Sequence, residues 1–233
     1  MTSKLLLLAI LLSFQHGLWG LHLKYKVTSL KLNVATIDMK LYHPEISIAV
    51  KSRIKVPLFP HLDNQYKIVH DDVYRPLQYT RIIKQSSLED SVFTVYNKNS
   101  VQMKQKLTGK IYNYKVQADT RDVFSLLAKI SSDPNSEGDY TVDGNGRLWR
   151  VRVSKGRTEK ISTALGKQTA RRHDFSFKAL SPEKAPYIDM LTFNFLDEDT
   201  ILSLWVSMNG VPLKAYLKKN MTSMSWDIMS VSK

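Results

Sequence analysis

The chain has 233 residues, of which 43% are hydrophobic and 24% charged, the balance of a globular protein rather than a disordered one. It contains no cysteine, which excludes disulfides, thiolate metal sites and a cysteine nucleophile. Its 34 Lys and Arg outnumber its 21 Asp and Glu, and the formal net charge of +13 favours contact with anionic surfaces such as phosphates or lipid head groups.

Residues 1–20 have the layout of a secretory signal peptide. Lys4 precedes an unbroken apolar run that begins at Leu5, and polar and small residues follow up to Gly20. A membrane anchor is the alternative, but the run is shorter than the roughly 20 residues that span a bilayer. We predict a signal peptide over 1–20, and a single exported β domain over 21–233 that is not integral in the membrane. Secretion without disulfides indicates the periplasm or outer-membrane periphery of a Gram-negative-type bacterium, where nucleic acid is not an expected partner.

Most of the chain after residue 20 alternates apolar and polar residues with the period of two that is typical of β-strands. The opening segment LHLKYKVTSLKL places Leu21, Leu23, Tyr25 and Val27 on one face. Similar segments follow up to the C-terminus, separated by turns that contain Asn, Gly or Pro, and one is predicted over residues 188–196. With roughly twelve strands, we predict a mainly β fold, an antiparallel curved sheet or a barrel.

The segment TRDVFSLLAKI predicts one short helix over residues 120–131. An apolar stripe at helical spacing comprises Val123, Leu126, Leu127 and Ile130. Asp119 or Thr120 can cap the first N–H groups, and Asp122 lies in the first turn, where negative charge is favourable. An isolated helix of this length is marginal in water, so we expect the stripe to pack on the apolar face of the sheet as a plug or lid.

Two hairpin turns are predicted from Asn-Gly pairs. In GDYTVDGNGRLWRVRV, Asp143-Gly144 and Asn145-Gly146 can supply the positive φ angles of a tight turn. A calcium loop is the alternative there, but Arg147 stands where an oxygen ligand is needed and no glutamate closes the loop. Asn209-Gly210 predicts the second turn, and the following Pro212 is expected at a strand start.

The helix, the hairpin after it and the late segment LSLWVSMNGVPLKAYL together resemble the bacterial exported proteins of the domain of unknown function 3108 family. The positions that match its pattern are Tyr25, Val27, Ser52, Pro76, Tyr79, Asp122, Ser125, Leu126, Leu127, Trp205, Ser207, Asn209, Pro212 and Lys214. The chain departs from the pattern at Asn33-Val34-Ala35, where the family usually has a glycine. The resemblance covers nearly all of the chain after residue 20 and implies an exported, mainly antiparallel β fold without an established activity.

A basic tract runs from Arg147 to Arg172 and contains one acid, Glu159. Arg150 and Arg152 alternate with valines, so both guanidinium groups are expected on the same sheet face. Arginine forks match phosphate and carboxylate oxygens, which predicts a surface for anionic lipid, lipopolysaccharide or cell-wall polymer. The predicted ligand-binding residues are Arg147, Arg150, Arg152, Arg157, Arg171 and Arg172. The alternative is a solvated strand face that discourages edge-to-edge aggregation.

Two acidic groups are weaker candidates for an active or metal site. His70-Asp71-Asp72 fits a polar strand end that leads into a turn, and Asp197-Glu198-Asp199 fits a solvated loop between strands. The chain has no Gly-x-Ser-x-Gly elbow, no glycine-rich phosphate loop and no histidine pair at metal-ligand spacing. The sequence therefore identifies no catalytic residue, no metal site and no cofactor.

Three hypotheses about function follow. The first is a non-catalytic binding or scaffold module of the periplasm for an anionic or lipidic ligand, with an acyl chain enclosed between sheet and helix. The alternative is an envelope hydrolase or glycan-acting enzyme, which requires convergent carboxylates or a Ser/His pair in one pocket. An integral outer-membrane barrel fits less well, because Lys and Arg occur too often along the predicted strands.

Overall fold

The computed structural model describes residues 20–53, 61–86, 88–187, 189 and 195–233. The signal peptide predicted over 1–20 lies outside these residues except for Gly20, and the strand predicted over 188–196 lies largely outside them. Within the described part of the chain there are fourteen strands and the helix α1, Val123–Ser132. The strands are β1 Leu21–Ser29, β2 Leu32–Tyr42, β3 Glu45–Ser52, β4 Asp63–His70, β5 Pro76–Gln85, β6 Leu88–Tyr96, β7 Ser100–Gln105, β8 Ile111–Lys115, β9 Gly138–Asp143, β10 Leu148–Thr163, β11 Gly166–Ala179, β12 Thr200–Ser207, β13 Pro212–Lys219 and β14 Thr222–Ser232.

All fourteen strands belong to one curved antiparallel sheet, which confirms the predicted fold class. The strand order is β8-β7-β6-β5-β4-β3-β2-β1-β14-β13-β12-β11-β10-β9. The chain therefore runs outward from β1 to β8, crosses through α1, and returns from β9 to β14. The two halves meet where β1 pairs with β14, with Val27 opposite Trp226. β8 and β9 remain the two ends of the sheet, so it curves without closing into a hydrogen-bonded barrel.

Two of the fourteen strands, β2 and β11, were not predicted from the sequence. The turn before β2 uses Leu30 and Lys31 at φ of 49° and 65°, a conformation for which Gly and Asn are the usual signals. The turn before β11 has Ala164 and Leu165 at its two central positions, with Gly166 at φ 91°. Both turns lack an Asn-Gly or Asp-Gly pair, so the flanking strands appear in the sequence as single uninterrupted segments.

Both predicted Asn-Gly hairpins are present. Asn145 and Gly146 have φ of 61° and 98° between β9 and β10, and Gly210 has φ 83° between β12 and β13. Gly144 is needed for a different reason, since a Cβ there would lie 2.6 Å from Cδ1 of Leu196. Pro212 is the first residue of β13, as its missing N–H predicts.

Helix α1 lies against the inner face of the sheet and is buried on most sides. Its N-cap is Asp122, whose Oδ1 accepts hydrogen bonds from the N–H groups of Phe124 and Ser125 at 2.9 and 3.1 Å. The predicted caps, Asp119 and Thr120, lie further upstream. Of the predicted stripe, Val123, Leu126 and Ile130 are buried and Leu127 is half-buried. Because the opposite side of the helix is buried as well, α1 is an enclosed plug rather than a surface lid.

Aromatic rings connect α1 to the sheet and to the segment before β12. Phe124 lies 5.4 Å from Tyr66, 6.3 Å from Tyr79 and 6.4 Å from Phe195, measured between ring centroids, and Phe195 in turn lies 5.2 Å from Trp226. These separations fall in the range of favourable edge-to-face and tilted packing.

No helix among the described residues is long and apolar enough to cross a membrane.

Candidate functional site

An apolar pocket, here called the helix pocket, lies between α1 and the inner face of the sheet. Its walls come from β1, β2, β3, β12, β13 and β14, whose inward residues alternate with outward polar ones. The lining consists of Tyr25, Ile37, Met39, Leu41, Ile46, Ile48, Phe124, Leu127, Ala128, Ser131, Leu204, Pro212, Lys214, Ala215 and Trp226.

The helix pocket is partly open to solvent, and its cavity volume is about 40 Å³. This is well below the roughly 300–1,000 Å³ of small-molecule sites, so a ligand fits only when lining side chains move. The hydroxyl of Tyr25, one of the few polar groups in the lining, donates to the carbonyl of Pro212 at 2.7 Å. With that hydroxyl satisfied inside the wall, the surface offered to a ligand is almost entirely apolar.

A second region of the interior is polar. We call it the polar seam, and it comprises Arg81, Thr94, Tyr96, Tyr114, Asp143, Asn145 and Asp189. Asp143, at the end of β9, accepts hydrogen bonds on Oδ2 from the hydroxyls of Tyr96 in β6 and Tyr114 in β8, at 2.9 and 2.8 Å. Its Oδ1 accepts from the N–H of Gly146 at 2.8 Å. These bonds join opposite ends of the sheet through side chains, where the strands themselves do not pair.

Arg81, on β5, is the cation of the polar seam and is 1% exposed. It donates to Oδ1 of Asn145 and, at 3.0 Å, to Oγ1 of Thr94, and its guanidinium lies 3.8 Å from the carboxylate of Asp189. The guanidinium carbon also lies 4.7 Å from the ring centre of Tyr79. A buried cation requires this degree of pairing, because an unpaired charge in the interior is strongly unfavourable.

Burial shifts the pKa of several groups in and beside the polar seam. It raises the pKa of Asp143, although hydrogen bonds from Gly146 and the two tyrosines oppose the shift. Burial likewise raises the pKa of Asp122, opposed by its bonds to Ser125 and Phe124. Both carboxyl groups therefore hold their protons to higher pH than exposed aspartates do.

The sequence ahead of α1 covers the end of the sheet at β9. The N–H of Arg121 donates to the carbonyl of Thr141 at 2.9 Å, and the N–H of Asp143 donates to the carbonyl of Arg121 at 2.7 Å. The Arg121 guanidinium donates to the carbonyl of Val73 at 3.0 Å. The free edge of β9 is thus covered at Thr141 and Asp143, and the start of α1 is fixed next to the polar seam.

The predicted basic tract is divided by the structure into two parts. Arg147 stacks 4.7 Å above Trp149 and donates to the carbonyl of Ser181 at 3.2 Å. Arg150 and Arg152 leave the outer face of β10 together, as predicted, and Arg152 pairs with Asp139 at 2.9 Å. Whether any of these arginines binds a ligand stays a prediction.

The remaining basic residues belong to the end of the β10–β11 hairpin, which we define as the basic arm, residues 154–172. β9 pairs with β10 only up to Val153, and β12 pairs with β11 only from Ala170 onward, so the arm extends past both neighbouring strands. Arg157 and Arg171 lie on the arm, while Arg172 lies at its base and pairs with Asp174 at 2.8 Å.

The two acidic candidates have structural roles. His70 ends β4, and Asp71 accepts from the N–H groups of Val73 and Arg75 at 3.0 and 2.8 Å, which confirms a polar strand end leading into a turn. Asp197 lies in the turn before β12 and pairs with Lys219 at 2.9 Å. Across the described ranges, no three His, Asp or Glu side chains converge as a metal ion requires.

The polar seam is the feature that sequence reasoning missed. Asp143 and Asn145 are predicted as turn residues, yet both are buried, at 4% and 3% exposure, and face the interior. Arg81 occupies an inward position of β5, between the buried Tyr79 and Ile83. The sequence signal that could have revealed the polar seam is Arg81, a charged residue at a position where the period-two pattern of the strand is otherwise apolar.

No family model matches the chain, and no curated protein matches it. Among solved structures, the fold is similar to that of a β-barrel-like protein of the domain of unknown function 1849 family from Brucella abortus. The TM-score is 0.61 at 8% identity, over 92% of this chain and 97% of that chain. The similarity establishes a barrel-like fold in common with a family that has no known function.

Two further bacterial structures align over most of the chain with lower scores. One is a protein from Bacteroides fragilis assigned as exported, with a YmcC-like fold, at a TM-score of 0.35 and 7% identity, over 92% of this chain and 96% of that one. The other is a protein from Parabacteroides distasonis assigned as a lipoprotein, at 0.36 and 9%, over 92% and 95%. The mainly β, barrel-like fold shared with the Brucella abortus protein agrees with the fold that the resemblance implied, whereas the 3108 family itself is not among the matches described here.

Proposed function

We propose that this protein is an exported, non-catalytic binding protein of the bacterial envelope that holds an acyl chain in the helix pocket. The observation that carries the proposal is the nearly apolar lining of the pocket, which lies between a helix and a sheet. The layout of residues 1–20 supports export.

The shape of the helix pocket favours a slender, flexible ligand. Its space is narrow, so a chain of methylene groups can enter by displacing mobile side chains, whereas a rigid ring system requires a wider opening. Met39 and Leu127 line the pocket and are only partly buried, which leaves them free to move. Each methylene taken from water contributes about 0.8 kcal/mol, so a long chain binds without any polar anchor.

Protein purified without detergent or organic solvent tests the proposal. Native mass spectrometry is expected to show a bound fatty acid or phospholipid, and a fluorescent fatty acid should replace it in solution. Ala128→Phe fills the pocket from the helix side and should weaken this binding at least tenfold, whereas Lys129→Phe, on the adjacent residue outside the lining, should not. Equal affinity of the folded Ala128→Phe variant and the unaltered protein would contradict the proposal.

A further inference from the structure

The basic arm has two faces with different chemistry. Cα partners across the hairpin share a face, and the register pairs Thr158 with Arg171, Lys160 with Thr169, and Ser162 with Lys167. One face therefore carries three cations interleaved with three hydroxyls, and we call it the cationic face. The only acid of the arm, Glu159, lies on the opposite face, where it accepts a hydrogen bond from Nε1 of Trp205.

The charges on the cationic face are not neutralised within the described part of the protein. Lys160 and Lys167 form no salt bridge to a described residue, and Arg171 donates only to the neutral side chains of Asn135 and Thr158. Lys160 is the diagonal neighbour of both other cations, at a separation of roughly 7–8 Å between backbone positions. Three like charges at this spacing repel one another, and an external anionic surface relieves that repulsion.

The cationic face is accessible near the end of the arm. Neither β9 nor β12 pairs with residues 160–169, and Lys160, Ser162, Lys167 and Thr169 are exposed, whereas Ile161 on the other face packs against the core. Leu165 stands at the turn and is 38% exposed, which adds an apolar side chain to the leading point of the arm. Basic residues next to an exposed apolar one are typical of segments that contact the head-group layer of a membrane.

The composition of the arm disfavours the other polyanions. Residues 154–172 contain no Phe, Tyr or Trp, whereas proteins that bind single-stranded nucleic acid stack bases on aromatic side chains. Protein interfaces also concentrate their binding energy in buried aromatic and arginine anchors. A cationic face with hydroxyl donors and one apolar tip instead matches a layer of phosphate groups above hydrocarbon.

We propose that the cationic face of the basic arm docks the protein on the surface of an anionic phospholipid bilayer. Lys160, Lys167 and Arg171 contact lipid phosphates, Thr158, Ser162 and Thr169 donate hydrogen bonds to them, and Leu165 enters the head-group layer. This goes beyond acyl-chain binding in the helix pocket and does not depend on it, because the arm and the pocket share no residue.

Sedimentation with lipid vesicles tests the proposal. The purified protein should bind vesicles of phosphatidylcholine mixed with phosphatidylglycerol, should bind pure phosphatidylcholine weakly, and should be released by added salt. Each cation near such a surface contributes about fivefold in affinity, so Lys160→Gln/Lys167→Gln/Arg171→Gln should lose about a hundredfold. A charge-preserving variant, Lys160→Arg/Lys167→Arg/Arg171→Lys, should bind like the unaltered protein.

The matched control removes three exposed lysines elsewhere, as Lys104→Gln/Lys110→Gln/Lys115→Gln in β7, β8 and the turn between them. It should retain binding to within about fivefold, because only the long-range field of the net charge changes. An equal loss in both triple variants would overturn the proposal, since net charge alone would then explain binding. It is also overturned if the protein ignores anionic vesicles but binds a labelled oligonucleotide or polyglutamate through the arm.

Discussion

The helix pocket and the polar seam occupy the same inner face of the sheet and are built in opposite ways. Around the last turns of α1, alternating strand residues such as Ile37, Ile48 and Ala215 leave apolar space that is partly empty. Around the N-terminal end of α1, the same alternation brings in Arg81 and Asp143, most of whose polar atoms form hydrogen bonds to neighbouring groups. The apolar region tolerates free volume, whereas the polar region depends on partners that all have to be present.

The two regions are therefore expected to respond differently when a side chain is truncated. An apolar wall loses free energy in proportion to the contacts removed, so single truncations have graded effects. A buried charge network loses about 3–5 kcal/mol when one member is removed, because the remaining partners lose its compensating charge while they stay buried. In the described part of the chain, no backbone ladder joins β8 to β9. The side chains of the polar seam connect the two ends of the sheet instead, as strand pairing does in a closed barrel.

The largest effect is expected from Arg81→Met, which keeps the length of the side chain and removes its charge. Asp189, Asn145 and Thr94 then lose their cationic partner in the interior, and we expect a loss of about 3–5 kcal/mol in the free energy of unfolding. Urea denaturation followed by tryptophan fluorescence measures it. Arg150→Met, on the exposed outer face, serves as the control and should change stability by less than about 0.5 kcal/mol.

A loss of under about 1 kcal/mol in Arg81→Met would contradict this contrast between the two regions, because replacing Arg81 would then change the free energy of unfolding little more than replacing an ordinary surface residue.

On the apolar side the effect is expected to be graded and at most as large as that of Arg81→Met. Leu126→Ala truncates a helix residue that is 1% exposed and should cost about 2–5 kcal/mol. Leu127→Ala truncates its half-buried neighbour, which borders the helix pocket, and should cost clearly less, because part of its surface already faces open space. The same denaturation experiment compares the two, and equal losses would show that the pocket is closed in solution.

The smallest effect concerns pH. Because burial raises the pKa of Asp143, its contribution to stability is complete below the pKa of the unfolded chain and is lost as the pH rises through the folded pKa. Asp143→Asn does not ionise, so the unaltered protein should lose stability relative to this variant as the pH rises from acid to neutral. Thermal unfolding at a series of pH values measures the difference.

The control for this pH experiment is Asp139→Asn, because the hydrogen bond from Arg152 lowers the pKa of Asp139. There the sign reverses, and the unaltered protein should gain stability relative to the variant as the pH rises through the same range. A difference of the same sign for both variants would mean that the burial of Asp143 does not govern its titration.

The sequence by itself determined the class of fold, because a period of two in apolar residues can be satisfied only by strands with one face in a core. It also determined the position of α1, in which Val123, Leu126 and Ile130 of the predicted stripe are buried as expected. The Asn-Gly turns could also be predicted from the sequence, since few residue pairs adopt positive φ at low cost. The turn at Leu30 and Lys31 was not, because it takes the same backbone angles without the usual residues.

Only the tertiary structure decided which residues meet at long range. Tyr96, Tyr114 and Asp143 come together because the curvature of fourteen strands brings the two ends of the sheet near each other, and no local pattern encodes that curvature. The cationic face of the basic arm likewise depends on the register of β10 against β11, which places Lys160, Lys167 and Arg171 together and Glu159 on the other side. Local periodicity records whether a residue points in or out, whereas its neighbours are set by how the strands pair and bend.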